Sequence, residues 1–261
     1  ATNGSVSVDG TLATYTPDAN YNGADSFTFT VSDGTLDATA TVTLTVTAVN
    51  DAPTANAGSG TVDEDGSVAV TLTGDDIDED NLTFTLGDDA TNGSVSVDGS
   101  VATYTPDANY NGADSFTFIV SDGTLTATAT VTLTVAAVND DPSLAAVDAV
   151  SFAEDASTSI ILSGSDIDGD VLTYSITAGS NIAASISGSV VSFTAPQDFN
   201  GSETFTATVT DGTLSASHEF TVTITPVNDA PTLTAISDIS FDEDNSSTTT
   251  LVGSDVDEDN I

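Results

Sequence analysis

Residues 112–136 read GADSFTFIVSDGTLTATATVTLTVA. Phe116, Phe118 and Val120 alternate with polar residues as far as Asp122–Gly123. Leu125, Ala127, Ala129, Val131, Leu133 and Val135 then continue in a single phase. A period of two is the pattern of a strand with one face in a core. Asp-Gly between two such runs marks a β-hairpin. The outward positions are mostly Thr and Ser, which suit a pleated surface without adding charge.

The same alternation extends outward from this stretch. Val68, Val70 and Leu72 form one run, and Leu82, Phe84 and Leu86 form another. Val95 and Val97 precede a turn at Asp98–Gly99, and Ala102 and Tyr104 follow it. With a short first strand near Thr61–Val62, this makes about seven strands in about 90 residues and no helical periodicity. That count predicts an all-β fold of immunoglobulin-like, Greek-key sandwiches.

The unit repeats. ATNGSVSV occurs at Ala1–Val8 and again at Ala90–Val97, and Asn-Gly recurs at Asn22, Asn111 and Asn200, a spacing of 89 residues. Glu64 and Glu154 lie 90 apart, so the third unit carries one inserted residue near its start. The expected organisation is the C-terminal part of one repeat over 1–51, complete repeats over 52–140 and 141–229, and the N-terminal part of a fourth over 230–261. Neither partial repeat can close a sandwich alone, so both are expected to be ordered by neighbours, in a longer array or in stacked copies that build a fibre.

Charge narrows the function. The 261 residues include 41 acidic side chains, one histidine and no lysine or arginine, for a net charge of −41. Without cationic side chains the chain has no footprint for a nucleic-acid backbone or an anionic membrane. It contains no cysteine, so disulfides, thiolate nucleophiles and zinc–thiolate sites are excluded together. Disordered acidic chains lack β-branched and aromatic residues, which recur here in register, so the chain is expected to fold. Folding this much like charge costs self-repulsion, and bound cations are the available remedy.

The carboxylates fall at recurring loop positions. At the junctions stand Asn50–Asp51, Asn139–Asp140 and Asn228–Asp229, each shortly before a proline. Glu64 and Glu154 follow the first strand of their repeats, and DxD pairs follow the second, at Asp76/Asp78, Asp166/Asp168 and Asp255/Asp257. Asp25, Asp114 and Glu203 stand ahead of the sixth strand, and Asp122 and Asp211 sit in the last hairpin turn. In such a sandwich these loops gather at the two ends, so carboxylates of one repeat are expected to face those of the next. Six or seven oxygen donors converging with no cation nearby call for a hard divalent ion, and calcium tolerates irregular oxygen shells best. Asp166–Asp170 is not an EF-hand, because Val171 and Thr177 occupy its glycine and glutamate positions.

Glu64, the Asp166–Asp168 pair, the linker Asn139–Pro142 and Asp211–Gly212 together resemble the interdomain calcium arrangement of cadherins. The phrases VSDGTL, ATVTLTV, VNDAP and YNGADSFTF resemble the cadherin-like, Ig-like (VCBS-type) tandem repeats of very large bacterial surface adhesins. The resemblance covers the whole chain. It implies an extracellular array whose joints are stiffened by calcium: a stalk or filament segment, and not an enzyme. His218 is the sole histidine and reads as a surface residue on the last strand of the third repeat, with no second histidine or cysteine for a triad or zinc site. The rival readings are a ligand- or glycan-binding adhesion module and an acidic surface-layer protein. The first wants aromatic patches in loops, and the second wants carboxylates on strand faces, where the sequence places threonine.

Overall fold

The computed structural model describes residues 1–257. Two compact units divide the chain, Ala1–Val138 and Asn139–Ile261. The last four residues of the expected fourth repeat, 258–261, lie outside the described residues.

Within the first unit, residues 58–136 form a complete seven-stranded sandwich. One sheet has the order Gly58–Asp63, Thr126–Ala136, Gly112–Ser121, Thr83–Leu86, and the other Gly93–Asp98, Val101–Pro106, Val68–Thr71. First and last strands pair in parallel, with Val131 opposite Gly58 and Ala136 opposite Asp63. The expected first strand at Thr61–Val62 lies within Gly58–Asp63. The apolar phase of the opening stretch forms the core, where Phe118, Val120 and Val131 are wholly buried and Phe116, Leu133 and Val135 nearly so. Tyr104, Ala102, Val70 and Leu72 from the second sheet pack against them. Each of the buried Phe, Val and Leu side chains contributes roughly 1.5–3 kcal/mol by leaving water.

The second unit repeats the plan. Val150–Ala153, Ser215–Thr225, Gly201–Thr210 and Thr173–Ile176 make the four-stranded sheet, and Ser157–Ile161, Val190–Thr194 and Ala183–Ser187 make the other. Phe193 packs edge-on against Phe205 and Phe220, with centroids 5.2 and 6.0 Å apart.

Two local expectations shift. The short hairpin turns on Gly99–Ser100, one residue later than expected, since Asp98 is paired with Val101. Gly99 takes φ +57° and the following residue does not turn positive, which is the Gly-first geometry of a type II′ hairpin. His218 is half-buried, not a surface residue. It shares the inward phase of Ala216 and Phe220, faces Ala207 across the sheet, and leaves Nδ1 out of water without a partner.

Residues 1–51 form two hairpins, Gly4–Asp9 with Leu12–Pro17 and Gly23–Ser32 with Asp37–Val46. In 232–257 the paired strands are Thr232–Leu233 and Gly253–Ser254.

Candidate metal centre

The parallel pairing of Val150–Ala153 against the end of Ser215–Thr225 carries Glu154 to the start of the linker that follows. Its N–H donates to the Thr225 carbonyl at 3.0 Å, and its Oε1 accepts the Val227 N–H at 2.5 Å. Glu154 is only 4% exposed, an unusual position for a carboxylate in a chain without lysine or arginine. Asp229 follows two residues along that linker, and its N–H donates to Asp257 Oδ2 at 2.6 Å. Carboxylate oxygens of Glu154, Asp229 and Asp257 lie within 4.8 Å of one another. A second group, Asp155, Asp198 and Asp229, meets the same limit and shares Asp229.

The electrostatics are adverse without a cation. Desolvation raises the Asp229 carboxyl above the usual range, and the charges of Asp198, Asp257, Asp155 and Glu154 push in the same direction. Asp155 and Asp198 both hold left-handed backbone, φ +59° and +56°, and the Asp198 N–H donates to Asp155 Oδ1 at 3.2 Å. Short polar residues such as aspartate tolerate that region better than most. An oxygen-only donor set around a buried glutamate fits a hard divalent ion with six to eight oxygen ligands.

The first unit builds parts of the same arrangement. Glu64 is also 4% exposed, and its oxygens accept the Val138 N–H and the Asn111 side-chain amide. The Asp51 N–H donates to Asp78 Oδ2 at 2.7 Å, as Asp140 donates to Asp168 at 2.8 Å in the second unit. The two members of each DxD pair divide the work. Asp76, Asp166 and Asp255 each accept the N–H of the second aspartate and so shape the loop, while that second aspartate receives the linker. Asp76 Oδ2 and Asp166 Oδ2 are out of water with no hydrogen-bond partner. Buried oxygens in that state suit an ion.

Other carboxylates of the expected set have different neighbours. Asp122 Oδ1 accepts the N–H groups of Thr124 and Leu125 and the Thr124 hydroxyl, and its Oδ2 accepts the Asn50 amide at 2.8 Å. Asp211 repeats this with Thr213, Leu214 and Asn139. The Asn139 amide, followed by the Leu214 N–H, holds the Asp211 carboxyl well below the usual carboxylate range. These aspartates cap a four-residue turn and latch the linker asparagine to it.

Asp25, Asp114 and Glu203 anchor the loop before the fourth strand of their repeats. Asp114 accepts the N–H groups of Thr91, Asn92 and Ser115 and the Tyr104 hydroxyl. Glu203 accepts those of Ser180, Asn181 and Ile182. Desolvation works upward on both carboxyls, but the donated N–H groups outweigh it and both are lowered. A lowered carboxyl adds stability that is complete above its unfolded-state pKa and is lost as pH falls through the lowered folded value. Asp114→Asn and Glu203→Gln are therefore expected to reduce stability at neutral pH while leaving calcium affinity within about twofold, read by urea unfolding and calorimetric titration. A large loss of affinity in either variant would place these residues at the metal site.

Asp198 and Asp155 were not among the residues expected as ligands. Asp155 was visible beside Glu154. Asp198 is hidden because Asn20 and Asn109 occupy its place in the earlier repeats, so its carboxylate does not recur.

Comparison with known proteins agrees with this architecture. A profile for the bacterial Ig domain matches residues 1–47, 50–134 and 139–225. None of the curated proteins matches the chain. Among solved structures, the first three cadherin domains of mouse protocadherin-24 are 17% identical, with 84% of this chain and 86% of that one covered and a TM-score of 0.52. Drosophila N-cadherin domains 1–4 are 17% identical, covering 88% of this chain and 67% of that one, with a TM-score of 0.37. An endo-fucoidan hydrolase of glycoside hydrolase family 107 is 18% identical with a TM-score of 0.31; the match covers 86% of this chain and 37% of the hydrolase's length. At these identities the likeness to the solved structures concerns fold alone. The three profile matches take in most of the sequence, and the chain belongs to the bacterial Ig domain family, as cadherin-like tandem β-sandwiches.

Proposed function

We propose that the chain is a segment of an extracellular stalk or filament of a bacterial adhesin-like protein, with calcium holding the joints between consecutive repeats. The observation that carries this reading is the buried Glu154 with Asp229 and Asp257 at one linker, in a chain with no lysine or arginine. Glu154, Asp155, Asp198, Asp229 and Asp257 would hold the ion or ions there. Calcium, when bound, supplies the positive charge that offsets the repulsion among these carboxylates. Asn228 shapes the linker by donating its amide to the Asp229 carbonyl at 3.0 Å. The absence of cysteine leaves a metal joint as the stabiliser suited to an oxidising exterior. Carboxylates that recur from repeat to repeat at linkers suit a repeated joint better than a single catalytic cleft.

Small-angle scattering in calcium and then in excess chelator tests the proposal. The maximum dimension is expected to shorten and the profile to become that of a flexible chain on chelation. An unchanged profile would remove calcium from the joints.

A further inference from the structure

Asparagine followed by glycine is chemically unstable, because the glycine nitrogen attacks the asparagine side-chain carbonyl with no Cβ to hinder its approach. The complete repeats hold three such steps, Asn92–Gly93, Asn111–Gly112 and Asn200–Gly201. Hydrogen bonding treats them differently. At Asn92 the main chain is clamped. Its N–H donates to Asp114 Oδ2 at 2.9 Å, and its C=O accepts the Asp107 N–H at 2.9 Å and the Tyr104 hydroxyl at 3.2 Å. The half-buried side-chain amide, by contrast, has no hydrogen-bond partner among the described residues.

The attacking nitrogen is free as well. Gly93–Asp98 is an outer strand of its sheet, and the direction of its backbone hydrogen bonds alternates along it. Asn92 bonds inward to Asp107, whereas Val95 directs its N–H outward, to Asp89 Oδ1 at 2.9 Å. Gly93 shares the phase of Val95, and opposite it stands Pro106, which has no N–H to donate. The Gly93 N–H therefore points to the open edge and meets no acceptor among the described residues. Nor can the position abandon glycine. A Cβ there would lie 2.5 Å from the Thr105 carbonyl oxygen and 2.6 Å from the Tyr104 ring.

The other two steps are protected. Thr117 turns its N–H and C=O toward Asp88 and Gly87, so the alternation turns Gly112 toward Val135 in the adjacent strand. Thr206 stands in the same relation to Gly201, bonding outward to Thr177 and leaving Gly201 turned toward Ile224. The Asn111 amide is further held by Glu64 Oε2 at 3.2 Å. In the third repeat the counterpart of Asn92–Gly93 is Asn181–Ile182, where a β-branched residue crowds the nitrogen. There the Ile182 N–H donates to Glu203 Oε2 at 3.3 Å, and the Asn181 amide donates to Oε1 at 3.1 Å.

We propose that Asn92 is a self-modifying site, at which the sandwich of residues 58–136 deamidates by its own backbone chemistry. The Gly93 nitrogen gives its proton to solvent and bonds to Asn92 Cγ. The Cγ–Nδ2 bond breaks, and the departing nitrogen takes up a proton and leaves as ammonia, closing a succinimide ring. Water then opens that ring at either carbonyl. One product is aspartate on the ordinary main chain, and the other is isoaspartate, with the main chain routed through the side chain. The sum is one water consumed and one ammonia released, with no enzyme or cofactor. Isoaspartate places an extra carbon in the main chain between the Thr91 and Asn92 N–H groups, which Asp114 clamps, and the strand Gly93–Asp98. That clamp helps set the register of the strand, so the modified repeat is less stable than the fresh one.

Ageing of the 261-residue chain in warm, mildly alkaline buffer, native and in urea, tests this by mass mapping of pepsin fragments. In the native chain, conversion at Asn92 is expected to run at least about tenfold ahead of that at Asn111, Asn200 and Asn181, where the attacking nitrogen is held. In urea the three Asn–Gly steps are expected to react alike, with Asn181 still slow behind its isoleucine. Aged protein is expected to unfold at lower urea than fresh protein, and Asn92→Ala to abolish that shift. Native conversion at Asn92 no faster than at Asn111 and Asn200 would overturn the assignment. A ranking among the three glycine steps that persists unchanged in urea would overturn it too, by making local sequence the cause. Ageing that lowers the urea midpoint equally in Asn92→Ala would overturn the link to stability.

Discussion

Glu154→Gln is expected to weaken calcium binding by at least about 100-fold, which is about 2.8 kcal/mol at about 1.4 kcal/mol per decade. The substitution keeps an oxygen to accept the Val227 N–H and removes only the charge, so the linker geometry survives. Its effect on stability should change sign with the metal. With calcium present, the 139–257 unit loses a ligand and becomes less stable. In chelator the same change relieves a buried charge that has no cationic side chain to offset it, and the unit becomes more stable. Thermal unfolding of wild type and variant in both conditions reads this directly. A variant that is destabilised equally in calcium and in chelator would show that Glu154 serves only as a packing and hydrogen-bonding residue.

A second large effect follows from two phenylalanines in the same sequence context. Phe118→Ala removes a wholly buried ring from a core that also holds Phe116, Val120 and Tyr104, and is expected to cost about 3–5 kcal/mol. Phe29 stands at the same place in residues 1–51 but is 45% exposed. In this 261-residue chain Phe29→Ala should cost below about 1 kcal/mol, as surface changes do. Urea unfolding of the two variants separates the cases. Equal costs would mean that Phe29 is covered in solution.

The strands were legible because each rests on a period-two pattern long enough to set its phase. The run from Ala127 to Val135 fixes which face of the last strand is inside: Ala127 and Ala129 are half-buried and Val131, Leu133 and Val135 buried, whereas Leu125, in the turn before the strand, stays 42% exposed. His218 was misread because the sole histidine was judged by residue type and not by its phase with Ala216 and Phe220. The hairpin at Asp98 shifted by one because either Asp-Gly or Gly-Ser satisfies the local chemistry, and cross-strand pairing of Asp98 with Val101 decides between them.

The candidate site was legible only in part, for a reason specific to repeats. Unit duplication makes most loop carboxylates periodic, whether they bind an ion or cap a turn. Spacing therefore grouped Asp122, Asp211, Asp114 and Glu203 with Glu154 and Asp229. Their hydrogen-bond partners differ. Asp211 is committed to the Thr213–Leu214 turn and the Asn139 amide, and Glu203 to three successive N–H groups. Asp229 instead faces Glu154, Asp257, Asp155 and Asp198. Periodicity also hid Asp198, the one member of the second group whose place in earlier repeats is filled by asparagine.

The central claim is that calcium sits among these linker carboxylates. Anomalous diffraction from crystals of the chain grown in calcium tests it most directly. The expected result is anomalous density beside Glu154, Asp229 and Asp257, with oxygen ligands at the roughly 2.3–2.6 Å typical of calcium. Well-ordered carboxylates at that linker with no anomalous density in saturating calcium would contradict the account.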